Sequence, residues 1–243
     1  MIKEIGRVKA LYRYPVKSMA CEPMGSATLG WHGFAGDRRF AFVRKGDMTG
    51  FPWLTAGKYP LLVRYVPFTR DAEQSQGHTL YVRTPAGREL ELRGAAIQEE
   101  LSNAFGSQVE LMQLDTGVFD EGNVSIISQS TISAVQQKVG MSVEAERFRP
   151  NIVIETADGE PFEEDGWLGK ILHFGGEANS AAVNVYMRDV RCMMINLDPS
   201  TGEANATVLK AVARMNENCA GVYATATKIG RIAVGDKIFL QEI

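Results

Sequence analysis

Short runs of β-branched and aromatic residues, repeatedly broken by the chain's 24 glycines, constrain its fold more than any other feature. Within them apolar and polar side chains tend to alternate, so each run makes one half-buried strand. Val8 to Tyr14, Ala27 to Leu29, Arg39 to Val43 and Leu61 to Val66 read this way. Thr79 to Arg83 and Glu89 to Arg93 follow, joined by Thr84-Pro85-Ala86-Gly87-Arg88 as a hairpin. Later strands are expected at Val109 to Leu114, Val124 to Ile127, Asn151 to Glu155, Ile171 to Phe174 and Ala182 to Met187. Cys219 to Thr225, Arg231 to Val234 and Lys237 to Gln241 complete the set. Few stretches take the helical period. Ile97, Leu101 and Phe105 recur every four residues and predict a helix over Ala95 to Phe105, ended by Gly106. Ser130 is a candidate cap for a helix running to Val139, and Val208, Leu209, Val212 and Met215 give Ala204 to Met215 an apolar face. The fold class is therefore mainly β (α+β), with a few short helices and β-rich halves packed without a linker.

A net charge of −3 and a pI near 5.7 leave no dominant cationic face, which argues against nucleic acid and against a basic membrane surface. No run approaches the ~20 apolar residues that span a bilayer, and the N-terminus has no apolar secretion core. Three unpaired cysteines fit a reducing compartment, so the cytoplasm is the expected location.

Cys192 is the most informative of the three. It follows Arg191, has Arg188 nearby, and precedes the loop-forming Asp198-Pro199-Ser200-Thr201-Gly202. Cations lower a thiol's pKa, and a thiolate is both a nucleophile and a soft-metal ligand. A buried structural thiol is the alternative, and it is the reading that fits Cys21 and Cys219. His32, His78 and His173 are scattered without zinc-ligand spacing, and no Gly-x-Ser-x-Gly elbow is present.

Basic residues gather at two strand ends. Tyr14-Pro15-Val16-Lys17-Ser18 and Gly36-Asp37-Arg38-Arg39-Phe40 together offer a lysine, a hydroxyl and two guanidiniums, a set suited to clasping a phosphate. Two solvated loops are the other reading. Arg147-Phe148-Arg149-Pro150-Asn151 places further donors just before a strand, where a sheet fixes side chains facing a cleft; a strand edge shaped by Pro150 is the alternative.

Taken in order, Tyr-Pro-Val-Lys-Ser at 14–18, Gly-Asp-Arg-Arg-Phe at 36–40, Arg-Phe-Arg-Pro-Asn-Ile-Val-Ile at 147–154 and Arg-Cys with Asp-Pro-Ser-Thr-Gly at 191–202 resemble the MOSC family. The similarity is to the branch holding bacterial hydroxylaminopurine-resistance proteins and mitochondrial amidoxime-reducing components. It implies a β-rich MOSC N-terminal domain over residues 1–120 and a MOSC β-barrel over 121–243, with a pyranopterin molybdenum cofactor between them. By that resemblance Cys192 is the protein's metal ligand and catalytic centre. Lys17, Ser18 and Arg38 hold the cofactor phosphate, Arg149 and Asn151 line the pterin, and Thr55 and Arg191 complete the cofactor site. The chain departs from the pattern at three points: Asp189 stands where an earlier cysteine is common, Asn196 where threonine is, and Gly57 where arginine is.

The implied activity is molybdenum-dependent reduction of small N-hydroxylated compounds: hydroxylamines, amidoximes or N-hydroxylated bases. The chain lacks a plant-type iron–sulfur cysteine spacing, so electrons are expected from a separate protein of ferredoxin, flavodoxin or reductase type. Asp189 is a candidate proton donor by its closeness to Cys192, with a salt bridge to a nearby arginine as its more ordinary role. Two alternatives use Cys192 without reductase turnover: a sulfur-transfer protein carrying a persulfide, and a carrier of the cofactor.

Overall fold

The computed structural model describes residues 2–70, 79–176 and 180–242; His78 and the end of the loop before the predicted hairpin lie outside them. The strands are β1 (Ile2–Arg13), β2 (Glu22–Met24), β3 (Ser26–Gly30), β4 (Gly33–Phe34), β5 (Phe40–Arg44), β6 (Val66–Thr69), β7 (Leu80–Arg83) and β8 (Glu89–Glu91). After helix α1 (Ala95–Phe105) come β9 (Val109–Gln113), β10 (Val124–Ser128), helix α2 (Gln129–Val139), β11 (Ile152–Thr156), β12 (Ile171–Phe174) and β13 (Ala182–Val190). Helix α3 (Thr207–Asn216) precedes β14 (Cys219–Lys228), β15 (Gly230–Ala233) and β16 (Lys237–Gln241).

Seven strands close a barrel in the order β11-β10-β14-β13-β12-β16-β1, with β1 pairing back onto β11. Closure removes sheet edges that would otherwise seek partners. The first strand is thus built into a barrel made mostly from the second half of the chain. Alternation sorts the side chains: Val124 and Ile126 of β10 and Ile152 and Ile154 of β11 point into the barrel core, while Ile127 and Val153 face a second apolar layer under α2 and α3. A third core gathers Phe42, Leu54, Leu62, Val82, Ile97 and Leu101 from the segment between β5 and β9.

Several expected boundaries move. Leu61 to Val66 is not a strand: Pro60–Arg64 forms a 3-10 turn with proline in its first position, where a missing N–H costs nothing, and β6 starts only at Val66. The cap of α2 is Ser128 rather than Ser130; the Ser128 hydroxyl accepts from the Thr131 amide, and Ser130 donates to the Glu160 carbonyl instead. Helix α3 begins at Thr207, because Ala204 is held in a bridge with Leu197 and Asn205 accepts from the Thr207 amide and hydroxyl. Among the described residues no helix is long and apolar enough to cross a membrane.

Candidate functional site

Where β1 ends, Tyr14 to Ser18 runs beside the start of β5, and backbone bonds lace the two together. Arg38 N donates to Tyr14 O (2.7 Å), Lys17 N to Phe40 O (2.8 Å) and Phe40 N to Pro15 O (3.2 Å). The two basic motifs read separately from the sequence are therefore one structure. Opposite them the 145–148 turn leads into β11, and the loop after β13 brings Cys192. Between these segments lies a cleft of about 630 Å³, within the range of about 300–1,000 Å³ that holds a cofactor-sized molecule.

Lys17, Ser18, Arg38, Thr55, Arg149, Arg191 and Cys192 all line the cleft. Asn151 does not. It is fully buried behind the wall, where its side-chain oxygen accepts from Arg38 (3.1 Å) and from the Ser125 amide (3.0 Å) and its nitrogen donates to Tyr12 O. Asn151 sits just before β11 with its side chain turned inward, so it supports Arg38 from behind the cleft wall.

Arg38 and Arg149 lie against the ring of Tyr14, their guanidinium carbons 4.8 Å and 4.2 Å from its centroid. Their bonding differs. Arg38 donates to Asp37 (2.5 Å), to Asn151 and to the Arg149 carbonyl (2.7 Å), and its Nε pairs with Asp120 (2.8 Å). Four of a guanidinium's five N–H donors are thereby engaged. Burial works against this charge, yet Asp37 and Asp120 more than offset it and hold the group above the ordinary arginine range. Arg149 donates from one nitrogen to Met19 O (2.8 Å), while its buried Nη2 has no partner among the described residues. Burial pushes its pKa down, Tyr14 opposes the shift, and the charge of Arg38 adds to it. A buried cation with an unmet donor is a demand for an anion.

Lys17 donates to Phe119 O (2.7 Å), and burial lowers its pKa despite Asp120 nearby. Ser18, Arg38 and Arg149 all take left-handed backbone conformations (φ 65°, 46° and 52°), three of the six non-glycine residues that do so among those described. Such conformations persist where the surroundings over-determine them, and they collect at binding sites.

Cys192 is exposed at the start of a 3-10 turn, Met193–Asn196. Two anchors fix that turn: Ile195 enters the layer under the helices and Leu197 the core of the 40–113 segment. Arg147 braces it from below, donating to Asn196 O (3.2 Å) and pairing with Asp198 (2.8 Å) and Glu144 (2.8 Å), so this arginine has a structural role. Asn196 likewise turns inward and accepts from the Leu209 amide (2.9 Å).

The arginines expected to act on the thiol are engaged elsewhere. Arg188 pairs with Asp165 (3.0 Å) and Glu217 (2.8 Å). Arg191 donates to Ala220 O (2.6 Å) and Phe148 O (2.7 Å) and pairs with Asp189 (2.7 Å). Arg191 thus ties β13 to β14 and to the 145–148 turn, with only part of its side chain at the cleft wall. Arg39 points away and donates to Leu114 O (2.9 Å). Met193 covers Gly57: a Cβ there would sit 2.9 Å from its sulfur.

Sequence reasoning missed Asp37 as a partner, and it missed Asp120, Tyr223 and the Trp53–Phe119 pair (ring centroids 4.8 Å apart). Asp37 was visible inside Gly36-Asp37-Arg38 as a carboxylate beside a guanidinium. Asp120 carried no local signal, since only the fold brings it to Arg38.

The described residues contain no cluster of three or more His, Cys, Asp or Glu that could bind a metal unaided. A metal here would bring most of its ligands with it, as a dithiolene cofactor does, and Cys192 is the exposed soft donor. The unmet Arg149 nitrogen, Lys17 and the size of the cleft fit such an anionic group.

Comparison with known proteins agrees with this architecture. A model of the MOSC N-terminal beta barrel domain matches residues 5–127, and one of the MOSC domain matches residues 113–239. Mitochondrial amidoxime reducing component 2 of Rattus norvegicus is 24% identical over 180 residues, and that of Bos taurus is 24% identical over 184; each alignment covers 69% of this chain and 51% of the relative. The chain spans about half the length of these curated relatives. The YUAD protein of Bacillus subtilis shares the fold at 15% identity, with a TM-score of 0.55 and full coverage of both chains. With both domain models matched in succession along a barrel of this kind, the chain belongs to the MOSC family.

Proposed function

We propose that the protein is a molybdenum-cofactor-dependent reductase of small N-hydroxylated compounds. The observation that carries this reading is that Arg149, whose buried guanidinium has one nitrogen without a partner among the described residues, lines the same cleft as the exposed thiol of Cys192. The amidoxime-reducing names of the 24% identical relatives support the substrate class.

Arg149, Lys17 and the hydroxyl of Ser18 would hold the cofactor's anionic end, with one remaining N–H of Arg38 beside them. Thr55 and the aromatic pair Trp53 and Phe119 would bound the other side. Cys192 would supply the protein's single thiolate to the metal. When bound, the cofactor supplies the two-electron couple that breaks an N–O bond. A separate electron-transfer protein would supply the electrons. The chain's own share is to fix orientation, exclude bulk water from the floor and deliver protons.

Metal analysis and turnover test this reading together. Purified protein is expected to contain molybdenum and, with a chemically reduced dye as donor, to convert an aromatic amidoxime to the amidine. Molybdenum with no turnover would favour the carrier reading. A labile extra sulfur on Cys192 without molybdenum would favour sulfur transfer.

A further inference from the structure

Two carboxylates share one wall of the cleft, and their surroundings drive them apart. Asp120 pairs with Arg38 at 2.8 Å and accepts from the Tyr223 hydroxyl at 3.4 Å. Burial favours its neutral form, but Arg38 and Lys17 outweigh that and keep it ionised. Asp189, at the end of β13, is 3% exposed. Its Oδ2 accepts from the Ser125 hydroxyl (3.1 Å) and pairs with Arg191 (2.7 Å), and the residue lines the same cleft as Cys192. Two acids whose hold on a proton is pulled in opposite directions within one cleft are the usual mark of divided acid and base duties.

We propose that Asp189 is the acid that protonates the departing oxygen when the substrate's N–O bond breaks, and that Asp120 stays a fixed anion steadying the cationic floor. The proposal rests on the reductase reading. In the balanced step, R–NH–OH takes two electrons from the donor protein and two protons, and becomes R–NH2 and water. Asp189 gives one proton to the oxygen, solvent gives the second, and solvent recharges Asp189. The groups around Asp189 are Arg191 on its own segment, Ser125 on β10, Cys219 and Tyr223 on β14, Tyr186 on β13, and Asp120 and Arg38, which line the same cleft. Burial, with Asp120 adding to it, outweighs Arg191, Ser125 and Arg38 and lifts Asp189 to about 6, so the group exchanges its proton just below neutrality.

Kinetics against pH, on holoenzyme with matched molybdenum content, tests the role. Wild type is expected to lose kcat as pH rises above about 6, the pH at which Asp189 gives up its proton. Asp189→Asn should lower kcat roughly 100-fold, flatten that limb and leave KM within about threefold. Asp189→Glu should restore part of the rate. Ser125→Ala removes a bond that favours the carboxylate, so it should move the limb to higher pH; this variant keeps the test open if Asp189→Asn folds poorly. Carbon NMR of labelled aspartate should show one carboxyl titrating near pH 6 that is absent from Asp189→Asn. Full kcat with an unchanged limb in Asp189→Asn, beside an inactive Cys192→Ala, overturns the acid and leaves the reductase standing. A wild type that reduces no N-hydroxylated compound overturns both.

Discussion

The floor and the rim of the cleft are built on opposite terms. At the floor, Arg38, Asp37, Asn151 and Asp120 satisfy one another, and Tyr14 lies against two guanidiniums. At the rim, Cys192 and Met193 are exposed on a short turn tied down by Ile195, Leu197, Asn196 and Arg147. Residues that complete the floor are needed for the fold whether or not a ligand binds. The Arg149 nitrogen and the Cys192 thiol are among the groups left incomplete, and they are ones a cofactor would complete.

The comparison breaks if Arg38 and Arg149 behave alike on substitution. Arg38→Ala leaves Asp37 buried without its cation, so urea unfolding should show a loss of about 3–5 kcal/mol. Arg149→Met removes a desolvated charge and one bond to Met19 O, so stability should change by no more than about 1 kcal/mol while the cofactor retained on purification falls sharply. Similar stability losses in both variants would erase the distinction between floor and ligand site.

Acid titration sharpens it next. Asp189 holds its proton more tightly in the fold than in the unfolded chain, so between about pH 4 and pH 6 the native state binds more protons and stability falls as pH rises. A shift from 3.8 to about 6 corresponds to about 3 kcal/mol. Unfolding across that window should therefore show a decline in wild type that Asp189→Asn lacks.

The smallest effect is expected at the rim. In Gly57→Ala the new methyl meets the far end of the flexible Met193 side chain, which is 40% exposed and able to swing away. Stability should stay within about 0.5 kcal/mol of wild type, as for other surface changes. At Gly221, by contrast, φ is +86° and a Cβ would sit 2.7 Å from the Ile126 carbonyl, so the same substitution there should be clearly destabilising.

What the sequence made legible follows from how local each signal is. Helix α1 is legible to its ends because Ile97 and Leu101 mark its buried face and Gly106 takes the left-handed turn that stops it. The hairpin of β7 and β8 followed from its Pro/Gly turn. The segment around Pro60 misleads because apolar Leu61 to Val66 resembles a strand, while packing against the core of the 40–113 segment makes Pro60–Arg64 a 3-10 turn. At the site, the motifs and the resemblance they carry point to seven residues that do line one cleft. They did not reveal which donors are already taken: Asn151 serves Arg38, Arg188 serves Asp165, and Arg191 serves two carbonyls and Asp189. Those pairings join residues far apart in the chain, and only the closed barrel determines them.

The central claim is that the thiol at the rim and the unmet cation at the floor hold one cofactor. Molybdenum per protein chain in wild type, Cys192→Ala and Arg149→Met, measured after gel filtration together with pterin fluorescence after oxidation, tests it most directly. Wild type should carry molybdenum and pterin in equal amounts, Cys192→Ala should lose metal ligation and turnover, and Arg149→Met should lose both metal and pterin while remaining folded. Full molybdenum and full activity in Cys192→Ala would contradict the account.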